Sequence, residues 1–320
     1  MSNNINPNSH TIIMGAGIIA IEYARILRKM EKSFSVIGRG EKSAREFQAA
    51  TNVEPYLGLR AFQTHHKNAP PNAIVSVNID QLAPASEMLL EWGVKRLLVE
   101  KPAGLNHNDI RGLAALAERH GASLYVAYNR RHYVSVRAAR QLIAEDGGVQ
   151  SFHFEFTEWT HEIDKLPLSE TVKKNWFLAN SSHVVDLAFY LGGLPIEIHS
   201  FISGQNEISW HNKSAVFAGA GRTKQGGLFS YQANWISAGR WSIEVMTRKR
   251  RFIFRPLEKL QVQMLGSVAV SDVVLDDSID KEFKPGFYNQ VEEFYKESSQ
   301  LLSIREHIEQ LNWFEKMVAE

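Results

Sequence analysis

The chain has no cysteine, which excludes disulfide bridges, thiolate-bound zinc, iron–sulfur clusters and a cysteine nucleophile. It has no apolar run near the ~18 residues a membrane-spanning helix needs. Its first ten residues, MSNNINPNSH, carry neither the basic stretch nor the apolar segment of a secretory signal. A cytoplasmic location is the resulting expectation. An excess of one charge is also missing: 36 Lys and Arg stand against 35 Asp and Glu, for a formal net charge of +1. That balance withholds the electrostatic footprint of a dedicated nucleic-acid binder. No metal-ligand spacing, lipid anchor, internal repeat or low-complexity stretch is present. These absences point to a small polar molecule as the partner.

At 320 residues the length favours two domains. Short apolar runs at Thr11–Met14, Phe34–Ile37, Ala73–Asn78, Arg96–Val99 and Ser123–Ala127 read as strands. Between them Ile18–Met30, Gln81–Trp92 and His107–His120 carry apolar residues at helical spacing. This succession of βα units predicts a doubly wound parallel sheet.

After a helical segment over about His132–Ala144, Asp146-Gly147-Gly148 forms a turn and the texture changes. Strands are expected at Gln150–Trp159, Ile196–Ser203, Ser214–Ala220, Leu228–Trp235, Trp241–Met246 and Arg251–Phe254. Helices are expected near Ser182–Leu191, Tyr288–Ser299 and Ile304–Val318. The fold class read from this is α/β: a Rossmann domain over 1–128, then an α+β domain over 129–320 with a mostly antiparallel open sheet and C-terminal helices packing back toward the first domain.

Gly15-Ala16-Gly17-Ile18-Ile19-Ala20 follows the first strand and opens the first helix, the context in which G-x-G-x-x-G/A binds a dinucleotide. Gly15 permits the tight turn, Gly17 lets backbone approach a pyrophosphate, and Ala20 lets helix pack on sheet; a plain glycine turn is the alternative. Dinucleotide sites that take NAD present a carboxylate at the end of the second strand. Here Val36-Ile37-Gly38-Arg39-Gly40 has none. Arg39 suits a 2′-phosphate, with Lys42 and Ser43 close in sequence, or it is a solvated loop arginine. NADP(H) in preference to NAD(H) is the cofactor expected, with Asn78 added to its site from the end of the third run.

Glu100-Lys101-Pro102 ends the fourth run, at the sheet edge where ligands bind. A lysine there can polarise a substrate hydroxyl or carbonyl, with Glu100 fixing its position; otherwise it is a strand-end surface lysine. With the glycine fingerprint, Tyr128-Asn129-Arg130-Arg131, the segment Ala179-Asn180-Ser181-Ser182-His183-Val184-Val185-Asp186 and the closing Phe287–Phe294 stretch, the chain resembles the glucose–fructose oxidoreductase/inositol dehydrogenase (Gfo/Idh/MocA) family.

The resemblance implies that Lys101 lies beside the nicotinamide and that His183 exchanges a proton with the substrate hydroxyl, both within reach of one carbon. A histidine titrates near neutrality and suits that role; a core or helix-capping histidine is the other reading of His183. The family's aspartate, one turn before the histidine, is replaced by Ala179, so Asn180 or Ser182 is expected to take over part of its hydrogen bonding.

Asn129, Arg130, Arg131, Asn180 and Trp235 complete the expected substrate set with Lys101 and His183. Trp176, Arg240 and Trp241 offer further flat faces and a cation, although core packing is the commoner role for each tryptophan. Together these predict an NADP(H)-dependent oxidoreductase acting on a sugar or nucleotide sugar, assembled as a homodimer or homotetramer to cover sheet edges. The competing reading is a catalytically silent NADP(H)-binding regulator on the same fold.

Overall fold

A computed structural model describes residues 10–296 and 300–318. Residues 1–9 of the polar N-terminal segment, and the last three residues of the helix expected over Tyr288–Ser299, lie outside the described residues. The chain divides into two compact units, one of residues 1–127 with 287–308 and one of residues 128–286 with 309–320. The segment 287–308 was grouped with the second domain by sequence; its contacts assign it to the first unit.

In the first unit, β1 (Thr11–Met14), β2 (Phe34–Gly38), β3 (Tyr56–Leu57), β4 (Asn72–Val75), β5 (Arg96–Glu100) and β6 (Ser123–Ala127) form a parallel sheet in the order β6-β5-β4-β1-β2-β3. A short strand, Leu302–Ser303, adds antiparallel beside β6, with Leu302 opposite Val126. Central strands of such sheets are covered on both faces, which selects continuous apolar runs over alternation. Ile12, Ile13, Leu97, Leu98 and Val99 are accordingly fully buried.

Helix Ile18–Lys29 buries Ala20, Tyr23, Ala24 and Leu27 at helical spacing and ends on Arg28 and Lys29, cations that suit its C-terminal dipole. Helix His107–Arg119 is N-capped by the Asn106 side chain, which accepts from the amides of Asn108 and Asp109. Helices Glu41–Thr51 and Leu59–His65 were not expected. Glu41–Thr51 is mostly polar, and its one stop signal is Asn52 in the left-handed conformation at φ 55°. Phe287–Tyr295 is also helical, with the Phe287 ring 5.0 Å from that of Tyr23.

The second unit holds an eight-stranded sheet. Its strands are β7 (Ser151–Glu155), β8 (Pro195–Ser203), β9 (Val216–Thr223), β10 (Leu228–Asn234), β11 (Ser242–Met246), β12 (Arg250–Phe254), β13 (Gln261–Met264) and β14 (Val270–Asp272), in the order β14-β13-β12-β11-β7-β10-β9-β8. Every neighbouring pair is antiparallel except β7 with β10. Helix Ser182–Gly192 covers one face, its Phe189 packing edge-on against Phe152, Phe154 and Phe229. Gly192 lies directly against the Phe152 ring, where a Cβ would collide. On β8, Ile196 and Phe201 are exposed.

The first strand of this unit is shorter than the expected Gln150–Trp159, because Phe156–Trp159 leave the ladder. Short helices follow at Thr160–Ile163 and Glu170–Lys174. A π turn, Phe177–Ser181, then runs directly into helix Ser182–Gly192. β13 and β14, mostly polar and partly exposed, have too weak an alternation to read from sequence. Among the described residues no helix is long and apolar enough to cross a membrane.

Candidate functional site

The carboxyl ends of β1, β2 and β4 are laced together: the Gly15 amide donates to the Ile37 carbonyl at 2.8 Å and the Ser76 amide to that of Met14 at 2.8 Å. Gly15 adopts φ +126°, and a Cβ there would run into the Ser76 carbonyl. Both its conformation and its surroundings therefore demand glycine. Gly17 N-caps the first helix without a side-chain cap, and nothing lies within 4 Å of where its Cβ would be. The first-turn amides thus face a space open to a ligand, at the positive end of the helix dipole. Ile18 in that turn is 81% exposed, whereas Ala20 is buried against the sheet. The Ser76 hydroxyl is buried with no hydrogen-bond partner among the described residues. A diphosphate fits this cradle of open backbone and unused donors.

Arg39 is exposed at the end of β2 and donates from Nη1 to Gln81 Oε1 at 2.8 Å. Ser43 donates its hydroxyl to the Gly40 carbonyl at 3.0 Å, and Lys42 stands 3.9 Å from Glu46. Asn78 is exposed at the start of a single helical turn.

At the end of β5, Tyr23 donates its hydroxyl to Glu100 Oε1 at 2.6 Å. Burial and the adjacent carboxylate push the Tyr23 phenol well above its ordinary range, so it remains a donor. Lys101 is partly buried, its peptide to Pro102 is cis, and the Pro102 carbonyl lies 3.2 Å from His307 Nε2.

In the second unit His183 occupies the first turn of helix Ser182–Gly192 and is 8% exposed. Its ring meets that of Tyr128 edge-to-face at 5.8 Å and lies 6.2 Å from Trp241. One turn along, Asp186 accepts two hydrogen bonds from Arg131, at 2.8 and 2.6 Å. Burial opposes the Arg131 charge, but the Asp186 carboxylate outweighs it and raises the guanidinium's pKa.

The guanidinium of Arg130 stacks on Trp241 at 4.8 Å, and that of Arg240 stacks on both Trp241 and Trp159, at 4.8 and 4.7 Å. Between Arg240 and the π turn lies Glu158, whose side chain is 1% exposed. It accepts from Asn180 Nδ2 at 3.0 Å and Ser181 Oγ at 2.7 Å, and from Arg240 at 3.4 Å. Burial pushes the Glu158 carboxyl above its ordinary range, against the pull of Ser181, Arg240 and Asn180. Glu158, Trp159 and Gly239 help to line a cleft of about 740 Å³.

Residues 10–128 match the model of the GFO_IDH_MocA family, described as an oxidoreductase family with an NAD-binding Rossmann fold. The chain is also similar to mouse trans-1,2-dihydrobenzene-1,2-diol dehydrogenase, with 25% identity over 182 residues, covering 56% of this chain. The match takes in 52% of the mouse protein, so the chain spans about half the length of that curated relative.

In fold it resembles the UDP-N-acetylglucosamine 3-dehydrogenase GnnA of Acidithiobacillus ferrooxidans, with a TM-score of 0.73 and 14% identity, over 96% of this chain and 95% of the other. It resembles the WlbA dehydrogenase of Chromobacterium violaceum, solved with NADH and UDP-GlcNAcA, with a TM-score of 0.71 and 16% identity over 99% and 94%. An inositol dehydrogenase homologue of Azotobacter vinelandii, solved with NAD⁺, gives 0.72 and 16% over 99% and 96%. These likenesses show the fold: a parallel Rossmann sheet followed by a mostly antiparallel one.

Within the first unit, Gly15, Ala16, Gly17, Ile18, Ile19, Arg39, Asn78, Glu100 and Lys101 all follow the carboxyl ends of parallel strands, or in Glu100's case close one. In the second unit His183, Asn180 and Arg130 gather around Trp241 and Glu158. Three expected substrate contacts have other work. Trp235 is 1% exposed and donates its indole N–H to the Phe156 carbonyl at 3.2 Å, so it is a core tryptophan. Arg131 spends its fork on Asp186, and Asn129 is buried with its amide on the Pro285 carbonyl at 2.9 Å. Ser182 donates to the Leu178 carbonyl rather than replacing an aspartate. Sequence reasoning missed Tyr23 and Glu158, which meet their partners only through the fold.

His132, buried beside this cluster, is lowered from 6.5 to about 3, first by burial and then by Arg131, Arg137 and Arg140. The unfolded chain takes up a proton there before the folded protein does. The stability contributed by neutral His132 is therefore complete above pH 6.5 and is lost as pH falls toward about 3, at about 1.4 kcal/mol per pH unit. Urea unfolding at pH 7 and pH 5 is expected to show a smaller acid loss for His132→Asn than for the wild type. Equal losses in the two proteins would remove this account.

Proposed function

We propose that the protein is an NADP(H)-dependent oxidoreductase that moves a hydride to or from a carbon of a sugar or nucleotide sugar. The observation that carries this reading is the convergence of the Gly15 turn, Arg39 and Lys101 on the carboxyl edge of one parallel sheet, the edge at which open α/β sheets bind ligands. The nicotinamide supplies the hydride acceptor or donor when bound. Lys101 donates to the substrate oxygen and stabilises negative charge as it develops. His183 takes or returns the hydroxyl proton, a task suited to an imidazole at neutral pH. Nucleotide-sugar substrates in the names of GnnA and the WlbA complex favour that class.

Nicotinamide absorbance followed with NADPH or NADP⁺ over free sugars, sugar acids and nucleotide sugars tests the reading. Turnover on one class supports it. Tight NADPH binding with no turnover throughout would favour the silent regulator, which the buried, apolar Ala179 also suits.

Cofactor choice is tested separately. An Arg–phosphate pair is worth about 1.5–3 kcal/mol, so Arg39→Asp is expected to shift the NADPH/NADH affinity ratio by about 10- to 100-fold toward NADH. An unchanged ratio in fluorescence titrations would refute the role of Arg39.

A further inference from the structure

Glu158 is one of several buried ionisable groups that the reaction roles above leave unused, and it lies next to the segment that carries His183. Glu158 is withdrawn from water, a costly place for a carboxylate unless donors surround it. Its bonds run in two directions. Toward the chain it holds Asn180, at 3.0 Å through Oε1 and 3.1 Å through Oε2, and Ser181 at 2.7 Å. These are the last two residues of the π turn, and His183 follows two positions after Ser181. Toward the cleft it holds Arg240, whose guanidinium stacks on Trp241, the indole 6.2 Å from the His183 ring.

We propose that Glu158 is the positioning residue for His183, one carboxylate fixing both the backbone that precedes the imidazole and the indole that flanks it. A π turn is an uncommon geometry that clusters at functional sites. Here its final two side chains are pinned by an acceptor that no neutral residue replaces: three donor groups converge on two oxygens. Removing the charge leaves the turn free to relax toward regular helix and Arg240 free to leave Trp241. This proposal rests on the reading that His183 is the proton-exchanging group.

The test uses the full chain. Glu158→Gln keeps the size but cannot accept from Asn180, Ser181 and Arg240 together. It is expected to lower kcat about 10- to 100-fold, as misplacement of a reacting group does, while KM stays within about threefold. The His183 imidazole resonances of the cofactor-free protein are expected to shift and broaden, and Glu158→Asp to recover part of both effects. In a double-mutant cycle, Glu158→Gln should cost nothing further once His183→Asn is present.

If His183→Asn turns over like the wild type, the functional reading fails, whatever Glu158 does. If His183→Asn is inactive while Glu158→Gln keeps wild-type kcat and unshifted His183 resonances, the positioning proposal alone is overturned. Should Glu158→Gln not fold, Ser181→Ala and Arg240→Met each remove one donor. The same two readings then apply, and unchanged kcat and resonances in both variants overturn the proposal.

Discussion

Replacing Lys101 with methionine is expected to lower turnover by about 10²–10³-fold, the range associated with losing one donor to a developing oxyanion, while NADPH binding changes little. Methionine matches the length of the lysine stem but carries neither a charge nor an N–H. Its neighbours would keep the loop in place: Glu100 is held by the Tyr23 hydroxyl at 2.6 Å, and the Pro102 carbonyl lies 3.2 Å from His307. A selective loss of kcat is therefore the expected signature, because the interaction proposed for Lys101 strengthens as charge develops on the substrate oxygen. Steady-state kinetics with NADPH fluorescence titration separates the two quantities. Full activity in Lys101→Met would remove the mechanism, and a collapse of NADPH affinity would make Lys101 a cofactor ligand instead.

The second large effect concerns stability. Asp186→Asn is expected to destabilise the fold by about 3–5 kcal/mol, because it strands the Arg131 charge in a buried site. The pair is made by two hydrogen bonds with both side chains shielded, at 9% and 0% exposure, and the Arg131 guanidinium also stacks on Tyr190 at 4.7 Å. Removing both charges is a different matter. Asp186→Leu with Arg131→Met should recover most of the loss, since apolar groups of similar volume can replace a buried pair at little cost. Denaturant midpoints for the two variants check this. A single variant within about 0.5 kcal/mol of wild type, the usual range for surface changes, would show that the pair is not needed for stability.

The features that were legible in the sequence are those whose physics is local. A left-handed glycine between a buried strand and a helix is a constraint of a few adjacent residues, so the Gly15 turn could be read directly. Lys101 at a strand end and His183 at a helix start were readable for the same reason. Glu158 was hidden inside a run taken for the strand Gln150–Trp159, and its partners Asn180 and Ser181 are 22 and 23 residues away. Tyr23 looked like any apolar residue on a helix face, and nothing near it announces Glu100, 77 positions later. Trp235 failed in the opposite sense: a tryptophan spending its N–H on a buried carbonyl has the same local pattern as one facing a sugar. Thr160–Ile163 and Glu170–Lys174 were missed because four or five residues are too few to establish a helical period.

The division of the chain has a consequence for biosynthesis. The cofactor-binding unit borrows its edge strand, Leu302–Ser303, and the Phe287 ring beside Tyr23 from near the C-terminus. While the ribosome is still making the intervening residues, β6 presents an unpaired edge, and the tyrosine that steadies Glu100 lacks its aromatic neighbour. Such an edge is a template for wrong pairing, and domains usually fold as units in the order they emerge. Here the first unit to emerge is among the last to be completed. Until Leu302–Ser303 emerges, the nascent Rossmann sheet carries β6 as an unpaired edge.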